Sequence, residues 1–304
     1  MPSAVPVPVS LPPTVQLGRG EGGLPLVRIH GRAASAEIYL HGAHVTRWAP
    51  QGDAPVLWMS AASRYVPESP LRGGVPICFP WFGAHASDPT APAHGFARLA
   101  EWELVGAHED ADDVVVTFRL VDSSATRSSA WPHRFEARYT VTVGARLTLA
   151  LEVTNLDSDD VTFEEALHTY LRVSDIGRVQ VRGLERAPYL DRLGGPDPVP
   201  GEAGPVRFTG ETDRIYLGTR ATVAVADDDS PRAVTIATEG SDATVVWNPW
   251  AGKAAAMADF GDDEWTTMVC VETCNLRGTA VRLHPGQSHT MTAVLSAGSP
   301  SGHE

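Results

Sequence analysis

Two side chains that can move protons stand out by their positions. From Thr162 to Val173 the chain alternates as a strand does. A period of two puts Glu164, Ala166, His168, Tyr170 and Arg172 on one face and Phe163, Glu165, Leu167, Thr169 and Leu171 on the other. Around Met268 to Cys274, the residues Cys270, Glu272 and Cys274 share a face opposite Val269, Val271 and Thr273. A carboxylate inside so apolar a strand is costly unless it is paired or used. Together, the imidazole of His168 and the carboxylate of Glu272 would suffice for general acid–base chemistry on a substrate held between them. Read singly, each also fits a solvated face or a satisfied structural network.

Other segments offer binding groups. In LRGGVPICFPWFG, Leu71 to Gly83, the glycines let backbone approach a ligand, Arg72 has the fork of donors that grips an anion, and Trp81 and Phe82 present flat faces on which a sugar ring could stack. The same composition fits a hydrophobic plug. In AHGFAR, Ala93 to Arg98, His94 bonds either a sugar hydroxyl or a loop carbonyl. In TDRIY, Asp213 precedes a strand and either accepts hydroxyl bonds or pairs with Arg214. The three cysteines, Cys78, Cys270 and Cys274, lack the even count of a disulfide framework and any second Cys or His pair for zinc. They read as small buried hydrophobes of a protein in a reducing cytoplasm.

The elements that must position these groups are strands. Gly and Pro number 28 and 24 and punctuate short alternating runs rich in Val and Thr, without a sustained helical period. The runs are Ala36 to Trp48, Val114 to Leu120, Phe135 to Val143, Arg146 to Thr154, Thr162 to Val173, Ala221 to Ala226, Ala233 to Thr238, Thr244 to Asn248, Ala280 to His284 and His289 to Ser296. Ten or more strands predict an all-β fold of packed antiparallel sheets, a large β-sandwich in a single domain over residues 25–297. Residues 1–24 read as a flexible lead-in and 298–304 as a flexible tail. Two long loops remain. Ser60 to Leu99 is aromatic enough to be an ordered wall of a site, whereas in the second, Gly183 to Pro205, the part from Leu190 to Pro205 has little to pack with.

A net charge of −13 argues against a nucleic-acid partner, which needs a dense basic surface. The apolar stretches fall far short of the roughly 20 residues that span a bilayer, so no membrane partner is expected.

Taken in order, RGGVPICFPWFG, HGFAR, EEALHTYLRV (Glu164 to Val173), TDRIY, VVWNPWAGKAAAMADFGDDEW (Val245 to Trp265) and VCVETCN (Val269 to Asn275) resemble the hexose-6-phosphate mutarotase branch, the glucose-6-phosphate 1-epimerases, of the aldose 1-epimerase family. The resemblance runs from about residue 25 to 295. It implies a supersandwich like that of galactose mutarotase, with no metal and no organic cofactor. It carries the catalytic pair onto His168 and Glu272, the substrate-contacting arginines onto Arg72 and Arg98, and the substrate-binding aspartate onto Asp213. Where several relatives have glutamine before the HGFAR histidine, this chain has Ala93.

The implied reaction is exchange of the α and β anomers of a hexose 6-phosphate, D-glucose 6-phosphate first among them. Glu272 would act as base toward the C1 hydroxyl and His168 as acid toward the ring oxygen, each favouring the other's charged form. Arg72 and Arg98 would hold the 6-phosphate. A cytoplasmic monomer acting on a small sugar phosphate is expected. The rival readings are a mutarotase for unphosphorylated aldose, a glycoside hydrolase drawing a second carboxylate from Asp213 or Glu164, and a non-catalytic carbohydrate-binding protein.

Overall fold

The long β-branched runs fold as antiparallel strands in the computed structural model, which describes residues 9–228 and 232–298. Phe135–Val143 shows how patterning drives this. Phe135, Ala137, Tyr139, Val141 and Val143 are buried, and the last four lie opposite Val153, Leu151, Leu149 and Leu147 of Arg146–Asn155. Each Val, Leu or Phe side chain so removed from water stabilises the fold by about 1.5–3 kcal/mol. These two strands belong to an eight-stranded sheet ordered Val179–Arg182, Val223–Asp227, Ala233–Glu239, Ser288–Gly298, Arg146–Asn155, Phe135–Val143, Asp113–Val121 and Glu103–Asp110.

A seven-stranded sheet forms the second layer. Across it run Tyr189–Asp191, Thr212–Leu217, Ala243–Asn248, Met268–Asn275, Glu165–Leu167 and Ile77–Cys78, and Tyr170–Arg172 also pairs with Met268–Asn275. The main core draws on the inner face of the eight-stranded sheet and on Ile77, Leu167, Leu171, Val246, Val269 and Val271 of the seven-stranded one. The opposite face of the seven-stranded sheet is also covered, by a second cluster that includes Ala166, Tyr170, Ile215, Val245, Trp247, Cys270 and Cys274. Met268–Asn275 is therefore buried along its whole length. Helix is confined to short pieces, Ser124–Arg127, Trp250–Ala255 and single 3-10 turns, and none among the described residues is long and apolar enough to cross a membrane.

Four local expectations need correction. Val15–Arg19 lies within the anticipated lead-in but is a strand, paired with Pro25–His30 in a four-stranded sheet; residues 1–8, and 299–304 of the anticipated tail, lie outside the described residues. TDRIY does not precede a strand but is one, Thr212–Leu217. Leu190 to Pro205 is not without packing: its start belongs to Tyr189–Asp191, which pairs with Thr212–Leu217. The run from Thr162 to Val173 is broken into Val161–Phe163, Glu165–Leu167 and Tyr170–Arg172. Its outer edge faces Gly74 to Pro80, where the N–H groups of Glu164 and His168 donate to the carbonyls of Pro80 and Pro76. Neither proline has an N–H to return, so the ladder cannot close there.

Gly95 fixes the loop over this edge. It bridges to Phe79 at φ +74°, and a Cβ at this position would run into the Phe79 carbonyl. Gly23 has φ +75° but open space around it. Gly23→Ala should cost about 1 kcal/mol for its backbone conformation alone, and Gly95→Ala about 2 kcal/mol or more because the collision adds to it. Urea denaturation of both variants checks the difference; equal losses would show that the loop yields at no cost.

Candidate active site

Sheet register brings the proton-transfer groups together. Leu167 lies opposite Thr273 and Tyr170 opposite Cys270, so the same antiparallel register carries His168 opposite Glu272 through the break between the two short strands. The Val271 N–H donates to the Thr169 carbonyl at 3.1 Å and holds that register where the ladder is interrupted. On the shared face, His168 Nε2 stands 3.3 Å from Glu272 Oε1.

The same lattice sets what surrounds the pair. Trp247 is opposite both Cys270 and Asp213, and Val245 is opposite both Glu272 and Ile215. Continuing the register of Tyr189–Asp191, Arg192 falls opposite Asp213 and donates its N–H to the Asp213 carbonyl at 2.9 Å. One row of side chains thus runs Arg192, Asp213, Trp247, Cys270, Tyr170. The next row runs Leu190, Ile215, Val245, Glu272, His168.

Above this floor lies a cleft of about 240 Å³, whose lining includes Phe82, His94, Arg98, Arg192 and Lys253 besides the pair. A larger groove of about 480 Å³ beside Phe96, Leu120 and Ala125 has no such acid–base pair in its lining. The smaller cleft is therefore the candidate site.

Its polar groups are poised rather than satisfied. Among the described residues, eight buried side-chain nitrogens or oxygens have no hydrogen-bond partner, and four of these are His168 Nδ1, Glu272 Oε2, Asp213 Oδ1 and Arg98 Nε, all from this cleft. Buried polar groups are otherwise almost always paired, so such a concentration marks a place shaped for a polar ligand.

Burial dominates the electrostatics. It pushes the Glu272 carboxyl well above the usual carboxylate range, with Asp213 adding to the rise and Arg192 and Arg98 opposing it. It holds His168 well below the usual imidazole value, helped by Arg98 and Arg72. Burial thus opposes the charged form of both, against the expectation that the two keep each other charged. His94 is also held low, by burial first and then by Arg98. The Gly83 N–H donates to His94 Nδ1 at 3.4 Å, which makes Nδ1 an acceptor and leaves the ring proton on Nε2.

The remaining anticipated residues are not all alike. Arg72 lines the cleft, but its guanidinium donates to Asp259 at 3.0–3.2 Å through Nε and Nη2 and to the Tyr170 hydroxyl at 3.0 Å through Nη1. Arg98 donates to the Ala93 carbonyl at 2.7 Å and has no carboxylate within ion-pair distance among the described residues. Asp213 pairs with Arg192, at 3.4 Å, and not with its neighbour Arg214, which pairs with Glu202. Phe82 stands beside His94 and His168. Trp81 belongs elsewhere: its ring packs against His85 and Phe96 in the core and its indole N–H donates to the Pro92 carbonyl. The aromatic surface exposed to the cleft is instead Phe82 and Trp247.

Sequence reasoning missed Arg192, Trp247, Lys253 and Met257. The last three fall inside the VVWNPWAGKAAAMADFGDDEW segment, whose residues carry no pattern that marks a ligand, and Arg192 falls in the stretch expected to have little to pack with. The three cysteines are free and buried, as expected. No group of three His, Cys, Asp or Glu among the described residues is placed to hold a metal.

A model of the aldose 1-epimerase family matches residues 25–296. Two relatives are named "Putative glucose-6-phosphate 1-epimerase". That of Cenchrus ciliaris is 34% identical over 294 residues, covering 94% of this chain and 88% of its own. That of Escherichia coli (strain K12) is 36% identical over 250 residues, covering 82% and 83%. The crystal structure of a protein from Salmonella typhimurium named "putative mutarotase (YeaD)" superposes with a TM-score of 0.88 at 32% identity, over 97% of each chain.

The Glu272 shift has a sign that can be measured. Because the folded chain holds this carboxyl above its usual 4.5, it binds the proton more tightly than the unfolded chain, and wild-type stability falls as pH rises above that value. Gln cannot ionise, so Glu272→Gln should raise the melting temperature by several degrees at pH 8 and hardly at all at pH 4. Calorimetry across that range checks it; an unchanged or lowered melting temperature at pH 8 would show that the carboxylate is comfortable where it lies.

Proposed function

The chain belongs to the aldose 1-epimerase family, and on that premise we propose that it interconverts the α and β anomers of a hexose 6-phosphate, with glucose 6-phosphate as its natural substrate. The observation that carries the site assignment is the pair His168 and Glu272, 3.3 Å apart, each with a second buried polar atom that has no hydrogen-bond partner among the described residues.

Ring opening needs one proton removed from the C1 hydroxyl and one delivered to the ring oxygen. Glu272 takes the first as base and His168 gives the second as acid. The C1–O5 bond breaks to the free aldehyde, C1 turns about the C1–C2 bond, and closure on the other face reverses both transfers. Positioned proton transfer contributes about 10²- to 10⁴-fold. His94 donates from Nε2 to a sugar hydroxyl, Asp213 accepts one at Oδ1, and Phe82 and Trp247 cover the apolar faces of the ring.

The reactive state has its proton on His168 and its charge on Glu272, and burial together with Arg98 and Arg72 works against that proton. A phosphate dianion held by those two arginines cancels their field. Phosphorylated substrate would therefore raise the proton affinity of His168 as it binds, a reason for phosphate to act on turnover as well as on affinity. Arg98 is the stronger candidate for the grip, since Arg72 is already neutralised by Asp259.

His168→Ala and Glu272→Ala should each lower anomer exchange of glucose 6-phosphate by about 10²-fold or more while the protein stays folded. NMR exchange spectroscopy on purified variants measures it, and near wild-type exchange in either would refute the pair. Arg98→Ala should cost about 1.5–3 kcal/mol in kcat/KM on glucose 6-phosphate and much less on glucose; equal losses on the two sugars would leave an unphosphorylated aldose as the substrate.

A further inference from the structure

The geometry points to Arg192 as a substrate-reading residue: with Asp213 it forms a donor–acceptor pair that recognises the hydroxyls at C2 and C3 of the sugar. This assignment rests on the mutarotase reading above and extends it to a residue on the sheet's opposite flank from Arg72 and Arg98.

Strand order carries the argument. Counting from the Ile77–Cys78 edge, the sheet presents His168, then Glu272, then the strand of Val245 and Trp247, then Asp213, then Arg192. Arg72 and Arg98 lie at the His168 end: Arg72 donates to Tyr170, and Arg98 follows the loop whose His94 touches Cys78. A hexose 6-phosphate has the matching order of groups. C6 with its phosphate is joined through C5 to the ring oxygen, then come C1, C2 and C3. With the ring oxygen at His168 and the C1 hydroxyl at Glu272, the phosphate falls toward Arg98, and C2 and C3 point toward Asp213 and Arg192.

The chemistry at that end suits a pair of adjacent hydroxyls. Asp213 is buried and its Oδ1 has no partner among the described residues, so it can accept from one hydroxyl. Arg192 Nη1 lies 3.4 Å from Oδ2, a single long contact quite unlike the three bonds of 3.0–3.2 Å that occupy Arg72 on Asp259. Its guanidinium therefore keeps donors for the neighbouring hydroxyl, and it rests over the Phe82 ring, 5.6 Å from the centroid, which holds it at the cleft. A charged donor beside a charged acceptor, set side by side, discriminates strongly against a sugar that lacks the hydroxyl both were built to meet.

The test measures anomer exchange by NMR for wild type, Arg192→Ala and Arg192→Lys on glucose 6-phosphate, glucose, 2-deoxyglucose 6-phosphate and 3-deoxyglucose 6-phosphate. The backbone N–H of Arg192, which bonds the Asp213 carbonyl, is kept in both variants. Arg192→Ala should lower kcat/KM about 10- to 100-fold on glucose 6-phosphate and by a similar factor on glucose, yet have little effect on at least one of the deoxy sugars, whose missing hydroxyl is the one Arg192 meets. Arg192→Lys should recover part of the loss.

Three outcomes with an active wild type would overturn the assignment. These are no loss in Arg192→Ala, an equal loss on all four sugars, or a loss confined to phosphorylated sugars, which would make Arg192 part of the phosphate grip. A wild type inactive on both glucose and glucose 6-phosphate would remove the mutarotase reading itself, and this assignment with it.

Discussion

In a pleated sheet the side chains on one face form a lattice, spaced by the strand repeat in one direction and by the hydrogen-bonded ladder in the other. The register of Met268–Asn275 against its neighbours is the constraint on which the site depends. It is locked by burial on both faces: Val269 and Val271 insert into the main core, while Met268, Cys270 and Cys274 enter the second cluster. A slip of one residue would turn Glu272 into the main core and Val271 toward the cleft. The cost of burying an uncompensated carboxyl among leucines and valines forbids the slip. The same packing that stabilises the sandwich thereby sets Glu272 beside His168.

Against that rigid floor the charges are deliberately uneven. Arg72 with Asp259 and Lys253 with Glu211 are closed ion pairs at the rim. Among the described residues Arg98 has no such partner, and Asp213 and Arg192 meet only loosely. Positive potential from Arg98 and Arg192 thus reaches the acid–base pair, within a protein whose formal charge is −13. Net charge speaks to partners such as nucleic acid, and a pocket with its own field can still attract an anion. The buried pair responds to that local field, which lowers the proton affinity of both of its members.

Much of this was legible in the sequence because β-structure writes its faces in a period of two. The alternation around His168 and Glu272 assigned both to the faces they occupy, and Phe135–Val143 came out with its expected ends. Short strands of ordinary composition were harder to read. Tyr189–Asp191 is three residues long and gains its identity only from pairing with Thr212–Leu217, so Arg192 looked like part of an idle loop. Trp81 shows the converse difficulty. Residue type alone cannot tell the aromatic that faces a ligand from the adjacent one that faces the core, and in an irregular loop there is no period to decide between Trp81 and Phe82. The partner of Arg72 could not be read either, because Asp259 is 187 residues away along the chain.

That separation bears on how the molecule comes into being. The cleft is closed by a guanidinium from the first third of the chain and a carboxylate from the last, and His168 and Glu272 stand more than a hundred positions apart in the sequence. Long-range closure of this kind is slow, because the entropy of ordering the intervening chain must be lost before the contacts repay it. A nascent polypeptide emerging from the ribosome can assemble hairpins such as Phe135–Val143 with Arg146–Asn155 early, but it has no sugar site until Met268–Asn275 has been made and threaded between its neighbours. On the proposed assignment the acid–base pair is completed only once Met268–Asn275 has been made, since that strand carries Glu272.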